Sequence, residues 1–394
     1  MNIGIVVRTL KIGGMERVAA NLTDAFMDEG HTVTLMYLKD RPVKIRPERS
    51  DADIRLLNLD RTLAFTGIGI LWIVISRILN MVFRKSLFVW QGFAQSFVFK
   101  RKIKKIESEK GRFDLMIFRG QGTFELIWAN KDPRIIQVCE SIFPRKHKGR
   151  FDSWYAGLLY NGKKVVCVSE GVKESFGEYA KDHGIIPESV TMITNPINIE
   201  KIKSRLGESI ASIPQKTYIL GLGRFVPHKN FSRLIRAYKV LVDDYDFQHP
   251  LVIIGDGRER DKLTKLTKSL GLEKRVSFPG STDNPYAWMA KAELFILSSD
   301  LEGLGMVILE AFASGTNVVA THCPGGVSDI MGSGCLAAQL SDMTPESLAQ
   351  VISLTLKQPF PEEEIHAVLE KFRPKAITDM YLSFGISGTM PCTV

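Results

Sequence analysis

The sequence predicts two doubly wound α/β domains, and three observations carry the prediction. Short, wholly apolar runs alternate with amphipathic helices, which is the pattern of parallel strands covered on both faces. Glycine-bearing turns follow several of those runs, as strand-to-helix connections require. The chain is 394 residues long, beyond what one core usually serves. An apolar content of 45% with 24% charged residues is globular in kind and excludes wholesale disorder.

The elements follow in order. "IGIVV" (3–7) reads as a strand, and the next helix carries its apolar face on Val18, Leu22, Ala25 and Phe26. Gly30 ends that helix and "TVTLMY" (32–37) is the next strand. "LMIF" (115–118), "RIIQV" (134–138), "KVVCVS" (164–169) and "VTMI" (190–193) complete a first series. A second comprises "YILGLG" (218–223), "LVIIG" (251–255), "VSF" (276–278), "LFILS" (294–298) and "NVVA" (317–320). The polar stretch 195–216 separates them. It divides the chain into a first domain of residues 1–200, a second of 201–372 and a closing segment of 373–394.

One region breaks the alternation. Residues 63–82 carry a single charge, Arg77, and are followed by Arg84, Lys85, Lys100, Arg101, Lys102, Lys104 and Lys105. The run barely reaches the ~20 apolar residues that a spanning helix needs, and it sits between strands of one domain. Two readings stand: a core helix followed by a solvated basic helix, or an edge over 63–105 that lies on an anionic membrane, with Phe83, Phe88, Trp90 and Phe93 adding insertion.

The formal net charge of +9 fits an anionic partner: nucleic acid, lipid or a phosphorylated substrate. The five cysteines, Cys139, Cys167, Cys323, Cys335 and Cys392, are scattered with no C-x-x-C pair, which reads as reduced thiols and no zinc site. "MNIGIVV" enters a strand with no basic n-region, so no signal peptide is expected.

Three glycine turns invite a phosphate: "KIGGMER" (11–17), "GLGRFVPHKN" (221–230) and "GDGRER" (255–260). The dinucleotide signature fails, because Val226 and Arg260 stand where the third glycine belongs. What "GLGRFVPHKN" offers instead is Arg224 and Lys229 across a proline turn, a candidate diphosphate clamp facing an interdomain cleft. In "SSDLEGLGMVILEAFASG" (298–315), Glu302 and Glu310 bracket a helix start whose N–H groups at Leu304, Gly305 and Met306 suit phosphate. Carboxylates suit hydroxyls, so cations for a diphosphate and acids for a sugar together suggest a sugar nucleotide.

At these residues the chain resembles the retaining glycosyltransferases of family 4, which have the GT-B fold. Glu302, seven intervening residues and Glu310 look like that family's E-x7-E region. "GGMERVAANL" (13–22), "VSEGVKESF" (168–176), "GLGRFVPHKNFSRLIRAY", "IIGDGRERDKL" and "FRPKAITDMYLSF" (372–384) are similar to its other landmarks, so the resemblance covers nearly the whole chain. It implies that Gly223, Arg224 and Lys229 hold the donor diphosphate, Glu310 the ribose hydroxyls, and that Glu302 sits by the transferred sugar. Gly13 and Gly14 would bring the first domain's backbone to the donor. The closing helix would cross back onto the first domain. Two departures are visible. Leu304 replaces a phenylalanine common in the family, and "QVCESIFPRKH" (137–147) has Glu140 where a histidine often faces the sugar, His147 lying too far along. Glu140 is therefore the candidate contact to sugar or acceptor.

The resemblance implies retention, yet no protein nucleophile stands out. Front-face attack is expected, with Arg224, Lys229 and the helix start stabilising the departing diphosphate. No D-x-D motif presents itself as a diphosphate metal site, so neither metal nor other cofactor is expected. The expected reaction moves a hexose or N-acetylhexosamine, from a UDP-sugar in preference to a GDP-sugar. The acceptor would be a lipid-linked oligosaccharide, lipopolysaccharide or other polysaccharide of the bacterial cell envelope. The enzyme would be cytoplasmic and peripheral at the inner face of the membrane, with no nucleic-acid partner. A sugar-nucleotide epimerase and a catalytically silent membrane scaffold are the rival readings.

Overall fold

In the computed structural model, residues 1–387 are described apart from 12, 84–86, 129, 145–148 and 359. Arg84, Lys85, His147 and Cys392 lie outside the described residues, as do the side chains of Phe83, Phe88 and Phe93. The chain forms two compact units, one of Met1–Pro196 with the segment from Pro374, the other of Ile197–Arg373.

Unit 1 is built on a sheet of seven described strands. They are β1 (Asn2–Val7), β2 (Thr32–Tyr37), β3 (Asp53–Leu56), β4 (Leu115–Arg119), β5 (Ile135–Cys139), β6 (Lys164–Cys167) and β7 (Ser189–Met192), ordered β3-β2-β1-β4-β5-β6-β7. Unit 2 holds β8 (Ile219–Leu222), β9 (Leu251–Ile254), β10 (Val276–Gly280), β11 (Leu294–Leu297), β12 (Asn317–Thr321) and β13 (Leu340–Ser341), ordered β10-β9-β8-β11-β12-β13. Every pairing among the described strands is parallel. The apolar strands anticipated from sequence are these, with β3 and β13 added.

Helices cover the sheets because their apolar residues recur at helical spacing. In Phe231–Asp244, residues Phe231, Leu234, Ile235, Tyr238 and Leu241 form one buried stripe with Leu348 and Ile352 of the helix Pro345–Thr355. The "GDG" turn has a packing reason. Gly255, at φ +144°, lies against the carbonyl oxygen of Gly223, where a Cβ would overlap it. The ends of unit 2 meet: the Ile197 N–H donates to the Phe372 carbonyl at 2.9 Å. The closing helix Pro374–Ser387 belongs to unit 1.

The region that broke the alternation forms two helices, Gly67–Phe83 and Leu87–Lys110. The first is no ordinary core helix. Ser76 is fully buried, whereas Ile70, Leu71, Val74, Ile78 and Met81 are between 47% and 78% exposed. No described helix is long and apolar enough to cross a membrane.

Candidate active site

In unit 2, successive strands run outward in opposite directions from the neighbours β8 and β11. That is a topological switch point, and open parallel sheets bind ligands in the crevice at the carboxyl ends of such strands. The loops that follow β8, β11 and β12 meet there.

After β8, a short 3₁₀ turn Pro227–Lys229 leads to Asn230, which takes the left-handed conformation at φ 42°. Asparagine tolerates this conformation, and its side chain caps the next helix by accepting from the Arg233 N–H at 3.2 Å. The loop after β11 is tied to this turn. The Asp300 N–H donates to the His228 carbonyl at 2.7 Å, and Asp300 Oδ1 accepts from Asn230 Nδ2 at 2.9 Å and Arg233 Nη2 at 2.6 Å. Ser298 Oγ donates to the Lys229 carbonyl at 3.0 Å.

That stitching brings Lys229 and Glu302 together. Lys229 Nζ lies 2.6 Å from Glu302 Oε1, and Ser299 Oγ donates to the same oxygen at 2.5 Å. Glu302 is only 8% exposed, so its charge rests on these partners. Among the described residues Oε2 has no partner, which leaves it an acceptor. The backbone of Glu302 is fixed from the β12 side: its N–H donates to the Pro324 carbonyl at 3.1 Å, and Gly325, at φ +119°, lies so close that a Cβ would overlap the Glu302 carbonyl oxygen. Cys323 is buried nearby, and burial with the Glu302 charge pushes its thiol up to about 12. It is a neutral thiol at physiological pH and no nucleophile.

Gly305 caps the helix Met306–Ala313 in the left-handed conformation, with no side-chain cap. Leu304 is buried and packs, so only its backbone faces a ligand role. Glu310, in the second turn, is 9% exposed, so it is no solvated helix acid. Arg224 lies in the loop between β8 and the Pro227–Lys229 turn. It is exposed and, among the described residues, forms no ion pair, while Lys229 is already engaged by Glu302. Gly223 lines the same turn, its N–H donating to the Ile254 carbonyl at 3.0 Å.

Unit 1 has its own cluster at the carboxyl edge of β4 and β5. Arg119 is fully buried; its Nη2 lies 2.6 Å from Glu140 Oε1 and 2.6 Å from Asn195 Oδ1, and its Nη1 donates to the Tyr381 hydroxyl at 3.3 Å. Desolvation raises the Glu140 carboxyl above the usual range, with Arg119 pulling the other way. Gly13 precedes the helix Gly14–Asp28 in extended backbone; the Glu16 carboxylate occupies the space of its missing side chain and accepts from Thr9 Oγ1 at 2.9 Å. Nothing crowds Gly14.

Sequence reasoning missed Arg119, Ser299, Asp300, Arg233 and Gly325. Arg119 is a charged residue ending an apolar strand, a signal that was available. Asp300, Arg233 and Gly325 act through partners far away in the chain, and Ser299 through Glu302 three residues on.

Two parallel-sheet, Rossmann-like units define the class of protein, the GT-B fold. Residues 12–201 match the family described as Glycosyltransferase Family 4, and residues 205–372 match Glycosyl transferases group 1. The lipopolysaccharide core biosynthesis glycosyltransferase LpsE of Rhizobium meliloti is 35% identical over 262 residues, 65% of this chain and 74% of that protein. The chain thus belongs to glycosyltransferase family 4. The Campylobacter jejuni N-acetylgalactosamine-N,N'-diacetylbacillosaminyl-diphospho-undecaprenol 4-alpha-N-acetylgalactosaminyltransferase is 32% identical over 210 residues, 52% of this chain and 55% of that one. The match with that relative spans little more than half of its length. The fold is that of Anabaena HepE in complex with UDP-glucose, at a TM-score of 0.71 and 19% identity over 99% of this chain and 100% of the other.

Proposed function

We propose that this enzyme transfers a hexose or N-acetylhexosamine from a UDP-sugar, with retention, to a lipid-linked oligosaccharide or lipopolysaccharide at an anionic membrane. The observation that carries it is the partly buried Lys229–Glu302 pair at the switch point, held by Ser299. One partner suits a diphosphate and the other, through Oε2, a sugar hydroxyl. The names of relatives in lipopolysaccharide core and diphospho-undecaprenol chemistry, and the likeness to a fold solved with UDP-glucose, support the donor and acceptor classes.

In this reading residues 201–372 bind the donor, residues 1–200 the acceptor, and residues 373–394 close onto the latter. Lys229, Arg224 and the N–H groups at Leu304, Gly305 and Met306 stabilise charge developing on the departing diphosphate. Exposed Arg224 engages on donor arrival. Glu310 takes the ribose hydroxyls. Gly13, Gly14 and Gly223 let backbone approach the donor, and Glu140 contacts the sugar or acceptor. The engaged state of Glu302 supports front-face transfer: a carboxylate held by a lysine and a serine is a poor nucleophile.

The test is a panel of UDP- and GDP-sugars against lipid-linked and lipopolysaccharide acceptors, read by mass spectrometry and anomeric NMR. Retained configuration in an acceptor-dependent product is expected. Donor epimerised without acceptor would establish the epimerase instead. EDTA should leave turnover nearly unaltered, since protein cations carry the leaving-group charge in this mechanism. Loss restored by Mg²⁺ or Mn²⁺ would overturn that part.

A further inference from the structure

At the opposite edge of the unit 1 sheet from Glu140, beside the amino ends of β5, β6 and β7, lies a cavity of about 420 Å³. That is within the ~300–1,000 Å³ of small-molecule sites. Its walls combine two indoles, Trp128 and Trp154, with Lys131, Ser153, Gly157 and Asn161. Trp154 is 52% exposed, a large apolar face left in water.

The helix Arg150–Tyr160 is built around this hollow. Residues 153, 154, 157 and 158 share one face at helical spacing, and the smallest, Gly157, forms a floor. A glycine inside a helix is destabilising relative to alanine. Here a Cβ would press on the Asn161 amide nitrogen at 3.0 Å, so the glycine leaves that amide its place at the cavity wall. The Asn161 amide is oriented, because its Oδ1 accepts from the Ile186 N–H at 2.7 Å and leaves Nδ2 to donate. Lys131 lies over Gly162 and, among the described residues, forms no ion pair.

We infer that this cavity is a second, non-catalytic carbohydrate site that takes a pyranose of the acceptor glycan away from its reacting end. A pyranose has an apolar C–H face for an indole and a rim of hydroxyls for amide, ammonium and hydroxyl groups. The cavity presents those two kinds of surface side by side. The inference rests on the proposed glycan acceptor, and binding tests it without turnover.

The experiment is saturation-transfer NMR on the full chain with maltotetraose, chitotetraose and a core oligosaccharide freed from its lipid by mild acid. At least one should show transfer, with affinity falling about ten-fold or more in W154A and less in K131A, while K229A binds as wild type. Turnover on a monosaccharide acceptor should be unchanged in W154A. Absence of transfer to all three glycans overturns the inference, as does binding that W154A leaves intact. A W154A variant that keeps the glycan but loses anionic vesicles (phosphatidylglycerol with phosphatidylcholine) would make the face a membrane anchor instead. If no donor is turned over, the proposed function fails while these binding results still stand.

Discussion

Seventy-two residues lie between Lys229 and Glu302, yet the two form one ion pair at 2.6 Å. K229A removes the proposed cation for the diphosphate and the partner of a buried carboxylate. Turnover should fall by roughly 30- to 1,000-fold, the equivalent of about 2–4 kcal/mol. R224A should lower kcat/KM in the same range while leaving the melting temperature unchanged, since Arg224 is exposed and, among the described residues, forms no ion pair. Wild-type turnover in both variants would remove the donor site from this turn. Lys163 offers a pH test. Its Nζ donates to the Ile127 carbonyl at 2.9 Å, and burial, with repulsion from Lys131 and Lys100, lowers it to about 8. Between that value and its ordinary 10.5, the unfolded chain binds more protons than the folded one, so this lysine's contribution to stability rises with pH. Denaturant melts should show the stability difference, wild type minus K163M, growing in favour of wild type from pH 8 to 10. A flat difference would mean an unperturbed lysine. The residue types of the site were legible, because cations and acids flanking glycine turns imply chemistry by themselves. Their pairing was not: sequence treats Lys229 and Glu302 as contacts to separate parts of a donor.

At the scale of elements, apolar strands announced themselves and polar or minimal ones did not. β3 is "DIRL", half-buried, with Arg55 paired to Asp53 at 2.8 Å, and reads as a loop because charged residues alternate in it. β13 has two residues, too few for any period. The helix Gly67–Phe83 was conspicuous in sequence, but composition alone left its environment open between core and membrane. Its exposed stripe of Ile70, Leu71, Val74, Ile78 and Met81, with Phe65 and Phe97 also exposed, is a large apolar surface on a protein unit. Exposed Lys100, Arg101, Lys104 and Lys105 follow on the next helix. Anionic vesicles should float the protein at low salt and less so at high salt, at about 1 kcal/mol per juxtamembrane cation. Reversing those four charges should abolish flotation and spare donor hydrolysis. Protein that stays soluble with every lipid would return this face to another role.

For the whole molecule, the two-sheet plan followed from alternation, whereas the reach of the last helix into unit 1 came only from family resemblance. Nothing in "FRPKAITDMYLSF" announces that Tyr381 will meet a buried arginine. Deleting residues from 374 onward should destabilise unit 1 and leave unit 2 folded, seen as selective proteolysis of residues 1–196. Equal protection of both units would show that the closing helix is dispensable. The hydrogen bond between Ile197 and Phe372 then acquires a meaning in time. Unit 2 is a continuous insertion whose ends meet, so it can complete itself on the ribosome while unit 1, begun first, still lacks its last helix. The half of the chain made earlier is finished later, since Arg119 gains its Tyr381 partner only when the last segment has been made.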